Sequence, residues 1–300
     1  MKKVIVITGP TGVGKTKLSV ELAKKYHGEI INADAMQVYK DLDIGTAKVR
    51  EEEKSDIPHH LFDIKNVEEE YSIYYYQKDC RQKIEEVMKR GNLPIIVGGT
   101  GLYIKSALFD YQFSSRCLQD EEKYEEKSLD ELKKLFISLD PKGAKKIDLK
   151  NKRRVINAIL YYLENGKSIT LAKTDSLLYD CLFIGLTTER KNLYQIIDKR
   201  VDQMVEMGLV EEAKKFYDKG IFSKPLLEGI GYKELYQYFS GHLSLDEAIS
   251  LIKRNSRRYA KRQYTFFRNQ FNLEWFTTNY DDFSLTVQEV STYLEKRLDK

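Results

Sequence analysis

Residues 3–16 read Lys3-Val4-Ile5-Val6-Ile7-Thr8-Gly9-Pro10-Thr11-Gly12-Val13-Gly14-Lys15-Thr16. Val-Ile-Val-Ile has no polar alternation, which predicts a short strand buried on both faces. The glycine-rich turn after it fits G-x-x-x-x-G-K-[ST]. A helical pattern from Lys15 to Lys25 follows, with apolar Leu18, Leu22 and Ala23. Strand, turn and helix together are the context this motif requires. Successive loop N–H groups then point at one anion, and the helix N-terminus adds its positive end. Lys15 supplies a point charge to the terminal phosphates and Thr16 a hydroxyl to Mg²⁺. The expected diphosphate-binding set is Gly9, Pro10, Thr11, Gly12, Val13, Gly14, Lys15 and Thr16, with Thr16 also the metal ligand. Such a loop recognises a di- or triphosphate and ignores what the phosphate is attached to. Kinases, NTPases and diphosphate-releasing transferases all remain open at this point.

Working outward, Glu29–Asn32, Pro94–Val97 and Leu182–Leu186 read as further short buried strands. Ser72–Arg90 reads as a helix with Ile84, Val87 and Met88 on one face, stopped by Gly91-Asn92. The alternation predicts an α/β fold: a P-loop-type parallel sheet flanked by helices. Between Ser114 and Leu178 the strand signal disappears. Acidic residues from Asp120 to Glu131 give way to basic ones from Lys142 to Arg154. We read 114–178 as a mostly helical insertion domain, and 1–113 with 179–300 as the catalytic core. The chain from Leu193 onward is again mostly helical.

Composition narrows the class. The chain has 300 residues, 42% of them hydrophobic, enough for a core and too many for general disorder. No apolar run approaches the roughly 20 residues a membrane helix needs. The apolar stretch at the N-terminus ends at Gly9-Pro10, too soon for a signal peptide. A cytoplasmic protein with no membrane attachment is expected. Cys80, Cys117 and Cys181 are odd in number and widely spaced, so neither a disulfide framework nor a four-cysteine zinc site is expected. His27, His59, His60 and His242 have no metal-ligand spacing with cysteine, and packing is the default reading for them.

Asp34 stands just past Ile30-Ile31-Asn32. In a parallel sheet ligands gather at the carboxyl ends of the strands, so Asp34 should face the same cleft as the phosphate loop. It could accept a proton from a nucleophile, bind Mg²⁺, cap a following helix or serve a kinase-type hydroxyl transfer. The strand Ile95-Ile96-Val97 ends in Gly98-Gly99-Thr100 where a motor ATPase would carry a carboxylate.

Net charge is only +4, from 50 basic and 46 acidic residues, but its distribution is uneven. Lys253 to Arg268 contains no acidic residue. At helical spacing Arg254, Arg257, Arg258, Lys261 and Arg268 share a broad face, with Tyr259, Phe266 and Phe267 free to pack inward or stack on bases. A second basic cluster includes Lys145, Lys146, Lys150, Lys152, Arg153 and Arg154. Two such clusters favour nucleic-acid binding over a merely solvated face.

These stretches, taken in order, match a known family. They are Gly9–Thr16, Asp34-Ala35-Met36-Gln37-Val38-Tyr39, Asp43-Ile44-Gly45-Thr46-Ala47-Lys48, Pro58-His59-His60-Leu61 and Val97–Tyr103. Arg200-Val201-Asp202-Gln203-Met204, Gly229-Ile230-Gly231-Tyr232-Lys233 and Tyr259-Ala260-Lys261-Arg262-Gln263 complete the series. The chain resembles the bacterial tRNA dimethylallyltransferase, or tRNA isopentenyltransferase, family over nearly its whole length. It departs from the family pattern at Val49, Lys150, Asn157, Leu160 and Phe266, and over Tyr111–Lys127.

The resemblance implies transfer of a dimethylallyl group from dimethylallyl diphosphate to N6 of the adenosine 3′-adjacent to the anticodon, with a tRNA anticodon stem-loop as partner and Mg²⁺ as cofactor. It implies Asp34 as general base, with Thr11, Lys15 and Arg200 stabilising the departing diphosphate. The adenine would leave the anticodon-loop stack to reach the cleft. Asp34, Ala35, Met36, Gln37, Thr100, Arg153, Arg154, Gly231, Lys233, Arg257, Lys261, Arg262, Gln263 and Arg268 would contact tRNA. A monomer suffices for this chemistry. The rivals are an isopentenyltransferase acting on free adenine nucleotides, a P-loop kinase for a small metabolite, and a non-catalytic NTP-dependent RNA-binding protein.

Overall fold

The computed structural model describes residues 3–111, 123–168 and 173–298. They fall into two compact units: 1–107 with 179–300, and 108–178. The boundary expected at 113/114 and Cys117 lie outside the described residues.

The first unit is built on a six-stranded parallel sheet in the order β3-β2-β4-β1-β7-β8. Its strands are β1 (Lys3–Thr8), β2 (Gly28–Asn32), β3 (His59–His60), β4 (Leu93–Gly98), β7 (Asp180–Thr187) and β8 (Glu274–Thr277). β1 lies between β4 and β7, with Ile5 opposite Ile95 and Leu182. Val4 to Ile7 are fully buried, which is why that segment is an unbroken apolar run. The α/β class follows as expected. The two outer strands do not appear in the sequence reading. β3 is two histidines long, and β8 is a short half-exposed segment.

Helix α1 (Lys15–Tyr26) leaves the phosphate loop and buries Leu18, Leu22 and Ala23 on the sheet. The remaining helices of this unit are α2 (Glu51–Lys54), α3 (Ile73–Lys89), α4 (Gly101–Leu108, whose last residue begins the second unit), α8 (Arg190–Glu206), α9 (Leu209–Asp218), α10 (Lys224–Glu228), α11 (Tyr232–Phe239), α12 (Leu245–Gln270) and α13 (Phe283–Leu298). Ser244 and Glu247 form a reciprocal cap that starts α12. At the opposite end of the sheet from the loop, buried Glu29 accepts bonds from Arg90, Asn92 and His60. His60 therefore joins a polar cluster, and His59 bonds the Ile57 carbonyl at 2.7 Å.

The second unit contains α5 (Leu129–Leu139), α6 (Pro141–Ala144) and α7 (Lys152–Asn165). Leu132, Phe136, Val155 and Ile159 make its core. It also contains a two-stranded antiparallel ribbon of β5 (Phe109–Tyr111) and β6 (Lys173–Leu177). This corrects the expectation that strands are absent between Ser114 and Leu178. Lys-Thr-Asp-Ser-Leu carries only one apolar residue, so periodicity could not expose it.

Candidate active site

The phosphate loop closes over the C-terminal end of β1. Gly14, at φ 87°, is the N-cap of α1 and turns the chain left-handed so that the next amides enter the helix. Three side chains from the C-terminal part of the chain hold the loop. Thr278 Oγ1 donates to the Val13 carbonyl at 2.8 Å and Tyr280 to that of Gly12 at 3.2 Å. Gln263 Oε1 accepts the Thr11 N–H at 3.2 Å. Lys15 Nζ donates back to the Pro10 carbonyl at 2.7 Å.

Asp34 leaves β2 through a turn built by buried Asn32. The Asn32 amide oxygen accepts the Asp34 N–H at 2.9 Å, and its NH₂ donates to the Leu61 carbonyl at 3.0 Å. Asp34 Oδ1 then accepts the Met36 N–H at 2.9 Å. From β4, Thr100 Oγ1 accepts the Ala35 N–H at 3.0 Å. Gly99 lets the Gln263 amide approach closely here. A β-carbon on it would stand 2.1 Å from Gln263 Nε2 and 4.0 Å from Asp34 Oδ2.

The charges of this cleft act on one another. Burial, and then the Arg200 guanidinium, push Lys15 down to about 7 against the pull of Asp34. Burial raises Asp34, while the Met36 and Gln37 amides, Lys15 and Arg200 pull it back. Arg200 is lowered by burial and supported by Asp34. Both cations keep some accessible surface, yet enough protein encloses them for desolvation to dominate. An anion such as a diphosphate would restore the full charge on Lys15.

Gly9–Thr16, Asp34–Gln37, Thr100, Arg200 and Gln263 thus share one end of the sheet. Two residues expected to meet tRNA sit differently. Gln263 is 6% exposed and spends both ends of its amide inside the protein, on Thr11 and on Gly99 O at 3.0 Å. Arg257 is ion-paired to Asp198. Arg257 was read on one broad basic face, whereas the fold sets it against Asp198, and Gln263 was expected at tRNA from the family resemblance alone. Lys261 and Arg262 are exposed and line a cavity of about 370 Å³ with Thr265, Phe266, Asn269 and Gln270. The Arg268 guanidinium lies 5.4 Å from the Tyr264 ring centroid. Gly231 is buried and its N–H donates to Glu234, with Lys233 Nζ 3.8 Å from that same carboxylate. Arg153 and Arg154 are exposed on α7 of the second unit.

Several residues of the site were not found by sequence reasoning. Tyr259, read only as packing or stacking, has its phenol within hydrogen-bonding reach of Thr100 and Gln263. Burial and the Asp34 charge push it to about 12, so it stays a neutral donor. Thr278 and Tyr280 carry no motif. Among the described residues no group of three or more His, Cys, Asp or Glu could hold a metal. Thr16 is exposed at the helix start.

With this geometry in hand, comparison with known proteins gives one answer. The IPP transferase family profile matches residues 37–270, and an isopentenyl transferase profile matches 2–70. The chain is 50% identical to a tRNA dimethylallyltransferase of Anoxybacillus flavithermus, over 98% of this chain and 96% of that one. It is 43% identical to a crystal structure of a tRNA isopentenylpyrophosphate transferase from Bacillus halodurans, with TM-score 0.78, over 100% of this chain and 97% of that one. A eukaryotic dimethylallyltransferase caught acting on tRNA superposes with TM-score 0.88 at 31% identity, over 97% of this chain and 78% of that one. The chain belongs to the IPP transferase family.

Proposed function

We propose that this protein transfers a dimethylallyl group from dimethylallyl diphosphate to N6 of the adenosine 3′-adjacent to the anticodon of tRNA. The C–O bond to diphosphate breaks, the N6–carbon bond forms, an N6 proton passes to Asp34, and diphosphate leaves. The observation that carries this reading is geometric: Gln263 bonds both Thr11 of the phosphate loop and Gly99 beside Asp34, which puts an anion grip and a proton acceptor in one cleft.

An exocyclic adenine amine is a poor nucleophile because its lone pair is delocalised into the ring. Accepting its proton in the transition state is worth about 10²–10⁴-fold. Burial lifts Asp34 above an ordinary carboxylate, which makes it a better base, while the nearby cations pull against that rise. On the other side, Lys15, Arg200, the loop amides and the Thr11 hydroxyl meet the charge that develops on the diphosphate. The Thr11 N–H is already taken by Gln263.

Mg²⁺ fits Thr16 as a hard oxygen ligand. Its hydroxyl has no protein partner among the described residues, and Mg²⁺ normally keeps waters and phosphate oxygens as its other ligands. When bound, the ion would neutralise part of the diphosphate charge. Exposed Lys261, Arg262, Arg153 and Arg154 are the candidate phosphate contacts for tRNA. No helix among the described residues is long and apolar enough to cross a membrane. The proposed setting is the cytoplasm, where tRNA resides, with a monomer as the acting unit.

The test is incubation with unmodified tRNA and labelled dimethylallyl diphosphate, followed by nucleoside analysis. The expected product is N6-dimethylallyladenosine. AMP accepting the label as well as tRNA does would overturn the tRNA assignment.

A further inference from the structure

Glu212 lies in the charged run Glu211-Glu212-Ala213-Lys214-Lys215 of α9, yet it is only 8% exposed. Its carboxylate is filled by four donors. Oε2 accepts the N–H groups of Asp43 at 3.0 Å and Ile44 at 2.7 Å. Oε1 accepts the Gly45 N–H at 3.0 Å and the Tyr232 hydroxyl at 2.6 Å. Three consecutive amides on one carboxylate pin a turn as firmly as a bound anion would.

The donors belong to two segments that lean on the Asp34 stretch. Gln37 Nε2 donates to the Thr46 carbonyl at 3.0 Å, at the far end of the same turn. A β-carbon on Gly229, just before α11, would meet Met36 Cε at 2.6 Å. None of these groups belongs to the phosphate loop. Only a carboxylate offers acceptors to all four donors without a proton of its own to clash with them.

We propose that Glu212 is a positioning residue for the acceptor half of the site. It locks the turn at 43–45 and, through Gln37, the backbone that carries Asp34, and it takes no part in gripping the diphosphate. This rests on Asp34 as the group that meets the target adenine.

The experiment compares Glu212→Gln and Tyr232→Phe with the unaltered full chain. It measures prenylation of unmodified tRNA, KM for dimethylallyl diphosphate, and inorganic pyrophosphate binding by calorimetry. Glu212→Gln turns an NH₂ toward backbone donors. Its kcat/KM for tRNA should fall about 30–100-fold, with the diphosphate KM and pyrophosphate Kd within about threefold. Tyr232→Phe keeps the three amide bonds and should show the same split at about 3–10-fold. Loss of pyrophosphate binding in parallel, or a lowered active fraction with both KM values unchanged, would mean a merely structural role and overturn the proposal. If Glu212→Gln does not fold, Tyr232→Phe decides, and unchanged tRNA kinetics there would overturn it. An unaltered chain that makes no prenylated product would instead overturn the proposed function.

Discussion

The side-chain amide of Gln263 donates to the carbonyl of Gly99 across 3.0 Å. Its other end accepts the Thr11 N–H, so one buried amide bridges the phosphate loop to the turn after β4. Gln263→Ala leaves two polar groups without partners, a cost of about 1–3 kcal/mol. We expect pyrophosphate affinity to fall about tenfold while tRNA affinity stays within threefold. Parallel calorimetric and filter-binding titrations check this. The reverse pattern would return Gln263 to the RNA surface.

Asp34 sits where chemistry and binding separate. Asp34→Asn keeps the shape and the acceptor for the Met36 N–H but removes the proposed base. Turnover should drop at least about 10²-fold, with tRNA and pyrophosphate Kd little changed. Single-turnover assays at saturating substrates measure it, and normal turnover would remove Asp34 from the mechanism.

Lys15 gives the reaction a pH signature. In the proposed reaction the loop needs it protonated, and burial has brought it to about 7 in the free protein. The free-enzyme profile of kcat/KM for dimethylallyl diphosphate should therefore fall as pH rises through about 7. It should also fall at acid pH as Asp34, raised above the ordinary carboxylate range, takes up its proton. Lys15→Arg fixes the charge, and in the activity it retains the alkaline limb should move upward. An unmoved limb would assign it to another group.

Glu29 ties stability to pH. Arg90, Asn92 and His60 outweigh its burial and hold its carboxyl at about 2, below the ordinary 4.5. A depressed acid stabilises the fold above its unfolded pKa and loses that contribution as pH falls from 4.5 toward 2. Arg90→Ala should lower the thermal midpoint at pH 7. The gap in thermal midpoint between the two proteins should narrow below pH 4. A gap independent of pH would show that packing of the arginine stem carries the effect.

Along α12, Lys253 is paired to Asp202 at 2.6 Å and Arg257 to Asp198. Lys261 and Arg262 have no ion-pair partner among the described residues. Lys261→Ala and Arg262→Ala should each reduce the slope of log affinity for tRNA against log salt by about 1. Lys253→Ala should leave that slope unchanged. Equal slopes for all three variants would remove α12 from the RNA interface.

The parts of this molecule legible in sequence are those where one physical demand acts on adjacent residues. β1 needs four apolar residues in a row, and the loop needs glycines at fixed offsets before Lys15. Asp34 was placed by its position after a strand. Glu212 was hidden because an acid among Glu211, Lys214 and Lys215 reads as a solvated helix face. Its partners are backbone amides 167–169 positions earlier, which have no side-chain identity to read. Gln263 was visible as part of a motif, and the resemblance implied RNA contact where the fold gives it an internal bridge. β3 and β8 are too short for periodicity to register.

The strand order has a consequence for synthesis. β1 is made first, but one of its two neighbours, β7, is encoded after residue 179, and the pins on its loop, Gln263, Thr278 and Tyr280, come later still. A nascent chain on the ribosome therefore carries an unfinished sheet with an exposed apolar edge for most of translation. The cleft becomes complete only when the segment through Tyr280 emerges, so a prematurely terminated product ending before α12 would retain the glycine signature and be inert.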